Sequence, residues 1–308
     1  MSKLVTNRKT FGEQNRERGW HPYRRELDMG NDAHLFTKHA SGLPVYEGRM
    51  VDFYDHRAKA YISGAGRTSK WTPRIPFDSP NKQITPQWFV PVEDLPAKLN
   101  DSWKRYRIGF LDVANAQNRR CLTATMVPPG SVCGDTVPTV SFATGQEWRY
   151  AGWLAVANSI VMDFISRRRI GLHMKPFIMD GLPFPEIEPH SLVGHRLINN
   201  VLRLICVSTE MGGFRSQVLA SVDLPAHLGT PPVIELADRA QLRAEIDALV
   251  ARECFDLTRD EFEHVLDDFP TLRRQEEKPH PKGLGEYRTK RLALEAFDKL
   301  SPDDTRGE

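Results

Sequence analysis

Long hydrophobic runs are missing from this 308-residue chain. No stretch of about 18 apolar residues occurs, so a membrane-spanning helix is not expected. The opening segment, MSKLVTNRKTFGEQNRERGW, is polar and basic and holds no apolar core of the kind a secretory signal needs. Cysteine is scarce: Cys121, Cys133, Cys206 and Cys254 stand far apart and lack metal-ligand spacing. Free thiols in a reducing cytoplasm are the expectation. Catalytic signatures are equally thin. Gly64-Ala-Gly66 is a lone G-x-G followed by Arg-Thr-Ser-Lys-Trp-Thr-Pro, where a nucleotide loop would lead into an apolar helix. There is no Walker motif, and no Asn- or Asp-Pro-Pro-aromatic tetrapeptide of the kind that holds a flipped base for amino methyl transfer. Glu276-x-Lys278 after Asp267-Asp268 imitates a nuclease metal site, but it follows a capped helix in a charged, Pro-flanked stretch. Asp55-His56 has no nucleophile fixed beside it, and a hydrogen-bonded structural pair is the expected role. No cofactor, no metal and no catalytic residue are therefore expected.

What the chain does have is an ordinary globular composition, 40% hydrophobic and 27% charged, with a net charge of only +2. The distribution is more informative than the sum. Arg24-Arg25, Arg67, Lys70, Arg74, Lys104-Arg105, Arg107, Arg119-Arg120 and Arg167-Arg168-Arg169 cluster in residues 1–175, whereas acids concentrate in 235–268. A basic front half suits a polyanion; a solvated surface carries such charges equally well.

Three parts are expected: an N-terminal arm over 1–30, an α/β body over 31–190, and a helical region over 191–308. The body reads as a mixed sheet with packed helices. Residues 43–61 are β-rich, with Val45, Met50, Val51, Phe53 and Tyr54 around Gly48. Residues 63–101 are rich in Pro, Gly and Ser and read as long loops pinned by Trp71, Trp88, Phe89 and Val90. Residues 105–113 and 120–127 form a candidate strand pair, the second with two buried faces and stopped by Pro128-Pro129-Gly130. Residues 146–168 predict one deeply buried helix, and Leu182-Pro-Phe-Pro185 an extended exit. Beyond it, Leu192–Ile205 and Leu242–Val250 carry helical stripes, the second behind an Asp238 cap. Thr258-x-x-Glu261 is a capping box. A last helix near 286–300 has Leu292, Ala293, Ala296 and Phe297 inside and Glu286/Lys290 and Glu295/Lys299 paired outside.

Several stretches, taken in order, resemble one family: "RELDMGNDAHLF" (25–36), "LPVYEGRMVDFYDHRAKAY" (43–61), "RIGFLDVANAQNRRCLTATMVPPG" (107–130), "LAVANSIVMDFISRRRIG" (154–171), "GLPFPEI" (181–187), and finally "LTRDEFEHVLDDFPTLRRQEE" and "GEYRTKRLALEAFDKL". The order resembles the C-terminal target recognition region of large N6-adenine DNA methyltransferases. These include the fused type IIG restriction–modification enzymes and the methyltransferases of phage-defence systems such as BREX and DISARM. By this resemblance Glu47, Gly48, Asp55, His56 and Arg57 fall on a "YEGKM…DHR" pattern, Asn118 and Arg120 on "TNERT", and Asn158-Ser159 and Arg168 on "NS…R". Gln117 and Cys121 replace threonines and Arg119 replaces a glutamate, which makes this turn more basic.

The resemblance implies a non-catalytic, sequence-specific DNA-recognition protein or domain that directs an adenine methyltransferase or a phage-defence complex. Its implied partners are double-stranded DNA and a methyltransferase-bearing subunit or domain, in the cytoplasm and without a membrane. The turn Asn115-Ala-Gln-Asn-Arg-Arg120 offers amides for adenine and guanidiniums for guanine or phosphate; the same groups also suit backbone caps or a neighbouring acid such as Asp112. The candidate DNA contacts are Arg57, Arg67, Lys70, Arg74, Asn81, Lys82, Arg107, Asn118, Arg119, Arg120, Arg168, His173 and Lys175. Residues shared with the family suit scaffold and phosphate contacts, and the loops at 63–88 suit base readout. Arg167–Arg169 at a helix C-terminus also satisfy the dipole and free carbonyls. Two other readings stay open: a fragment-like nuclease or methyltransferase with an unrecognised site, and a structural adaptor that binds a protein and no DNA.

Overall fold

The computed structural model describes residues 2–300 apart from Asn7, His21 and Pro80, with the side chains of Ser2 and Arg67 also outside the description. The chain enters through helices α1 (Ser2–Val5) and α2 (Phe11–Glu17) and strand β1 (Tyr23–Arg24). The body then lays down β2 (Leu43–Tyr46), β3 (Tyr61–Ser63), β4 (Lys70–Trp71), β5 (Phe89–Val90), β6 (Arg107–Phe110), β7 (Ala124–Val127), β8 (Val132–Cys133) and β9 (Thr139–Val140). Helices α3 (Trp148–Ala157), α4 (Ile160–Ser166) and α5 (Pro176–Asp180) close it. The C-terminal part is helical throughout: α6 (Leu192–Ile205), α7 (Gly212–Ser221), α8 (Leu236–Leu249), α9 (Arg259–Asp267), α10 (Pro270–Glu276) and α11 (Arg288–Asp298). This is the expected α/β body followed by helices. Among the described residues, no helix is long and apolar enough to cross a membrane, and the four cysteines are free.

A four-stranded antiparallel sheet, in the order β1-β9-β6-β7, forms the centre. A smaller sheet, β5-β2-β8, joins an antiparallel and a parallel pair, and β3 and β4 form a separate ribbon. β6 and β7 pair from Arg107 opposite Val127 to Phe110 opposite Ala124, and every residue of both strands is buried. Gly109 is required in this crowded centre, because a Cβ there would lie 2.7 Å from a Val127 methyl carbon and 2.9 Å from one of Val137. α3 packs on the sheet and α6 packs on α3, so one core runs continuously from β6 and β7 into the C-terminal helices.

The arm is not detached. Leu4 and Phe11 lie in that core. Phe11 N donates to Leu182 O at 2.9 Å, Lys3 pairs with Glu261, and Arg8 pairs with Asp256. The predicted helix 146–168 is broken in two. Ser159 turns extended and accepts from Met162 N to cap α4, while the Asn158 amide donates to Ala124 O and accepts from Ala124 N, both at 2.9 Å. Asn158 thus stands in for a neighbouring strand at the start of β7, which a continuous helix would not allow.

The caps differ in part from expectation. Thr258 and Glu261 form the capping box at α9. α8 starts earlier, after Glu235, with Asp238 in its first turn rather than at its cap. On α11 the pairs are redistributed: Arg291 holds both Glu286 and Glu295, and Lys290 holds Glu263 and Asp267.

One ion pair ties the arm to both sheets. Arg107 on β6 and Glu26 are fully buried. Arg107 Nε donates to Glu26 Oε1 at 2.5 Å and its Nη2 donates to Glu26 Oε2 at 3.0 Å and to Ser131 O at 2.6 Å. Glu26 also accepts from Cys133 N at 2.7 Å. Burial disfavours the charged guanidinium, but the Glu26 carboxylate outweighs it and holds the arginine above its ordinary range. Removing one partner of such a pair costs about 3–5 kcal/mol, because the other charge stays buried alone. Arg107→Met should therefore lower the urea midpoint by an amount equivalent to about 3–5 kcal/mol, with a smaller increment when Glu26→Gln is added to it. An unchanged midpoint in Arg107→Met would contradict this role.

Candidate nucleic-acid interface

The 111–123 connection between β6 and β7 is a long loop, and its two ends are anchored in different ways. At the start, Asp112 is buried and accepts from His173 Nδ1 at 2.6 Å and from Arg25 Nη2 at 3.1 Å. The backbone bonds Ala114 N to Leu172 O and Met174 N to Asp112 O join the same two segments. The apex is a turn in which Asn118 N donates to Asn115 O and Gln117 N to Asn115 Oδ1. Gln117 and Asn118 are exposed there.

The loop's far end is fixed by Asp163 on α4, which is fully buried. Its Oδ2 accepts from Arg120 Nε at 2.8 Å and Cys121 N at 2.8 Å, and its Oδ1 from Arg167 Nη2 at 2.9 Å. Arg120 Nη2 also donates to Asn158 O at 2.6 Å, and the guanidinium lies over Phe53. Arg120 is thus held against the body on three sides, and its neighbour Arg119 turns into a cleft between the body and the C-terminal helices.

That cleft contains a cavity of about 60 Å³. Arg119 and Arg120 meet Arg243 of α8 and Arg288 of α11 on its wall, together with Asp247 and Glu276. Among the described residues no carboxylate lies within ion-pair distance of Arg119, Arg243 or Arg288. Burial lowers the Arg119 and Arg243 guanidiniums below the usual arginine range; Asp52 opposes this for both, while Arg74, Arg243 and Arg120 add to it for Arg119 and Arg120 adds to it for Arg243. Burial also pushes the Asp247 carboxyl up to about 6, against the pull of Arg120. Tyr54 closes the wall with a left-handed backbone, φ 55°, an uncommon and strained state for a bulky residue. It is held there by Ala124 O, by Leu154 O and by the Arg239 guanidinium on its carbonyl.

The thirteen candidate contacts fall into distinct groups. Arg107 and Lys82 are corrected: both are interior. The Lys82 ammonium donates to Asp55 Oδ2 at 2.7 Å, Ile75 O at 2.8 Å and Arg57 O at 3.2 Å, so it bolts the 75–83 loop to the body and cannot face a duplex. Arg57 and Arg120 are largely sequestered as well, Arg57 between Lys82 O at 2.6 Å and Glu210 at 3.2 Å. Arg168 lies over Phe164 and pairs with Asp268 at 3.0 Å, and His173 pairs with Asp112. Arg74 pairs with Asp52 yet stays more than half exposed. Lys70, Asn81 and Asn118 are exposed, and Lys175 is half-buried at the start of α5. The Arg67 side chain lies outside the described residues. Among the described candidates, Arg119 alone enters the cleft without an acid in ion-pair contact.

Arg243, Arg288 and Arg239 escaped the sequence reading. For two of them a signal existed: Arg239 and Arg243 stand one turn apart on the Leu242–Ile246 stripe of α8, where an amphipathic helix places apolar residues. The acidic run of 235–268 is largely consumed by internal bases: Glu261 by Lys3, Glu263 and Asp267 by Lys290, Asp256 by Arg8 and Asp268 by Arg168.

No protein-family model matches the chain, and no curated protein matches it.

Two outcomes follow. Arg120→Ala leaves Asp163 buried with less compensation and should lower stability by about 3–5 kcal/mol in a denaturant titration. An Arg120→Ala protein as stable as wild type would refute the anchoring role. The second concerns pH. Asp247 titrates at about 6 when folded against an ordinary 3.8, so its contribution is fully present below 3.8 and is lost as pH rises through about 6. Asp247→Asn should flatten the fall in unfolding free energy across that window; an unaltered slope would show that another group is responsible.

Proposed function

We propose that the chain is a non-catalytic, sequence-specific DNA-recognition module that directs an N6-adenine methyltransferase or a related defence complex. The observation that supports this most is a division of labour. The residues that carry the resemblance are mostly bound inward: Asp55 to Lys82, His56 and Arg57 to Glu210, Arg120 to Asp163, Asn158 to β7, and Ser159 to the first turn of α4. Asn118 and Glu47 are exceptions: Asn118 is exposed, while Glu47 Oε1 is buried without a partner among the described residues and burial pushes the carboxyl up to about 7. The segment 63–88, which matches no pattern, presents Lys70 at the start of β4, Asn81 and the outer part of Arg74 to solvent. A fixed frame with free, polar loops suits readout of DNA sites. Exposed Val113, Leu172 and Phe177, which are 59%, 65% and 74% accessible, suit a protein partner.

The decisive measurement is selection of bound duplexes from a random pool, coupled to affinity as a function of salt. The log–log salt slope is expected to fall by about 0.9 for each phosphate contact removed. Lys70→Ala or Asn81→Ala should change the selected sequence, with about 1–3 kcal/mol of discrimination lost at the affected base pair. Absence of duplex binding at low salt would overturn the proposal. Methyl transfer by the chain alone from labelled S-adenosylmethionine would favour the enzyme reading instead.

A further inference from the structure

The cleft between the 115–120 loop and the C-terminal helices holds more positive charge than its own carboxylates neutralise. Four guanidiniums line it against two carboxylates, Asp247 and Glu276. Both acids are already engaged. Asp247 accepts from Ile160 N at 2.7 Å, and Glu276 caps α11 through Thr289 N at 2.8 Å and Thr289 Oγ1 at 2.6 Å. Among the described residues, Arg120 is the one guanidinium of the four with an acid in ion-pair contact, and Asp163 divides its charge between Arg120 and Arg167. Arg119, Arg243 and Arg288 come from three separate segments and, among the described residues, converge with no carboxylate in ion-pair contact; Asp52, which attracts Arg119 and Arg243 from further off, is already paired with Arg74. Like charges brought together and partly desolvated are unfavourable unless an anion completes them.

We infer that this cavity is a binding site for one phosphate-type oxyanion, inorganic or the phosphoryl group of a nucleic acid. The planar, forked donors of arginine match tetrahedral oxyanions better than any other side chain does. At about 60 Å³ the cavity takes several water-sized groups, each of which needs about 10–15 Å³, so it admits a phosphoryl head and leaves any larger remainder outside. Ala240 and Ala244 flank Arg243 on α8 and keep that space open. The site bridges Arg119 on the body to Arg243 and Arg288 on the helical part, so its occupant ties the two together. It does not rest on the DNA-recognition reading, since a free oxyanion can be titrated without any duplex.

The experiment uses the full chain. Inorganic phosphate and sulfate are titrated at constant ionic strength against sodium chloride, and thermal stability and binding heat are recorded. Phosphate should raise the melting temperature in a saturable way, and chloride should not. Arg119→Gln and Arg243→Gln should each weaken phosphate binding about tenfold or more, whereas Arg291→Gln, an equal charge change on the exposed side of α11, should not. Without phosphate, the Arg119 and Arg243 variants should melt no lower than wild type, because each relieves repulsion; that comparison separates an anion site from a structural role. If phosphate is no more stabilising than chloride for the wild type, the inference is overturned. If phosphate binds and also displaces duplex DNA, the natural occupant is a backbone phosphate; if it binds and leaves duplex affinity unchanged, the occupant is a free phosphate. Duplex binding that fails while phosphate binding persists would remove the DNA-recognition reading and leave the anion site standing.

Discussion

A single buried carboxylate organises the face on which function is placed. Asp163 on α4 is out of water, and an ionised acid there is tolerable only with full hydrogen bonding. It obtains this from two guanidiniums and the backbone of Cys121, and all of these donors except Arg167 come from the far end of the 111–123 loop. The loop's return path is therefore fixed by an electrostatic requirement of the helix beneath it. Arg119 follows from Arg120: once one is drawn down onto Asp163, the next side chain is sent into the cleft. The helix break at Asn158–Ser159 belongs to the same device, since it turns the Asn158 amide toward β7 and the Asn158 carbonyl toward Arg120.

Much of the basic character that the sequence displays is spent internally. Arg107 neutralises Glu26, Lys82 neutralises Asp55, Arg168 neutralises Asp268, and Arg167 and Arg120 share Asp163. The remaining positive potential is concentrated in a cleft and on a few loop tips. Such concentration favours specific placement of a phosphate over diffuse attraction, because guanidiniums with low-dielectric walls act at short range and resist screening.

The legible parts of the fold were those with local signals. Strands β6 and β7 were marked by apolar runs and Pro-Pro-Gly, α9 by Thr258 and Glu261, and α6 by its stripe over Leu192–Ile205, of which Leu192 itself is exposed. α7 was missed because its apolar residues are not gathered on one face: of its ten residues only Phe214 and Val218 are buried. The break in the 146–168 helix was written in Asn158-Ser159, a favoured capping pair, but its cause, the open edge of β7, lies 34 residues upstream. Interior bases were illegible for the same reason. Arg107 finds Glu26 at a separation of 81 residues, and Lys82 finds Asp55 at 27. Nothing local distinguishes such a base from one that faces solvent. The cleft was half legible: Arg119 stood out in its turn, while Arg243 and Arg288 acquire meaning only where tertiary packing brings three segments together.

The pairing of the arm with distant segments bears on how the chain acquires its structure. Glu26 needs Arg107 and Cys133, Phe11 needs Leu182, and Lys3 and Arg8 need Glu261 and Cys254. These side-chain partners lie 81 to 258 residues away along the chain, so the segment's apolar residues stay in water until distant parts of the chain fold onto them. Contacts of such sequence separation slow the approach to the native state and prolong the exposure of sticky surface. The apolar residues of this segment are thus among the last to be covered, and during that interval the partly folded chain depends on its own solubility or on a chaperone.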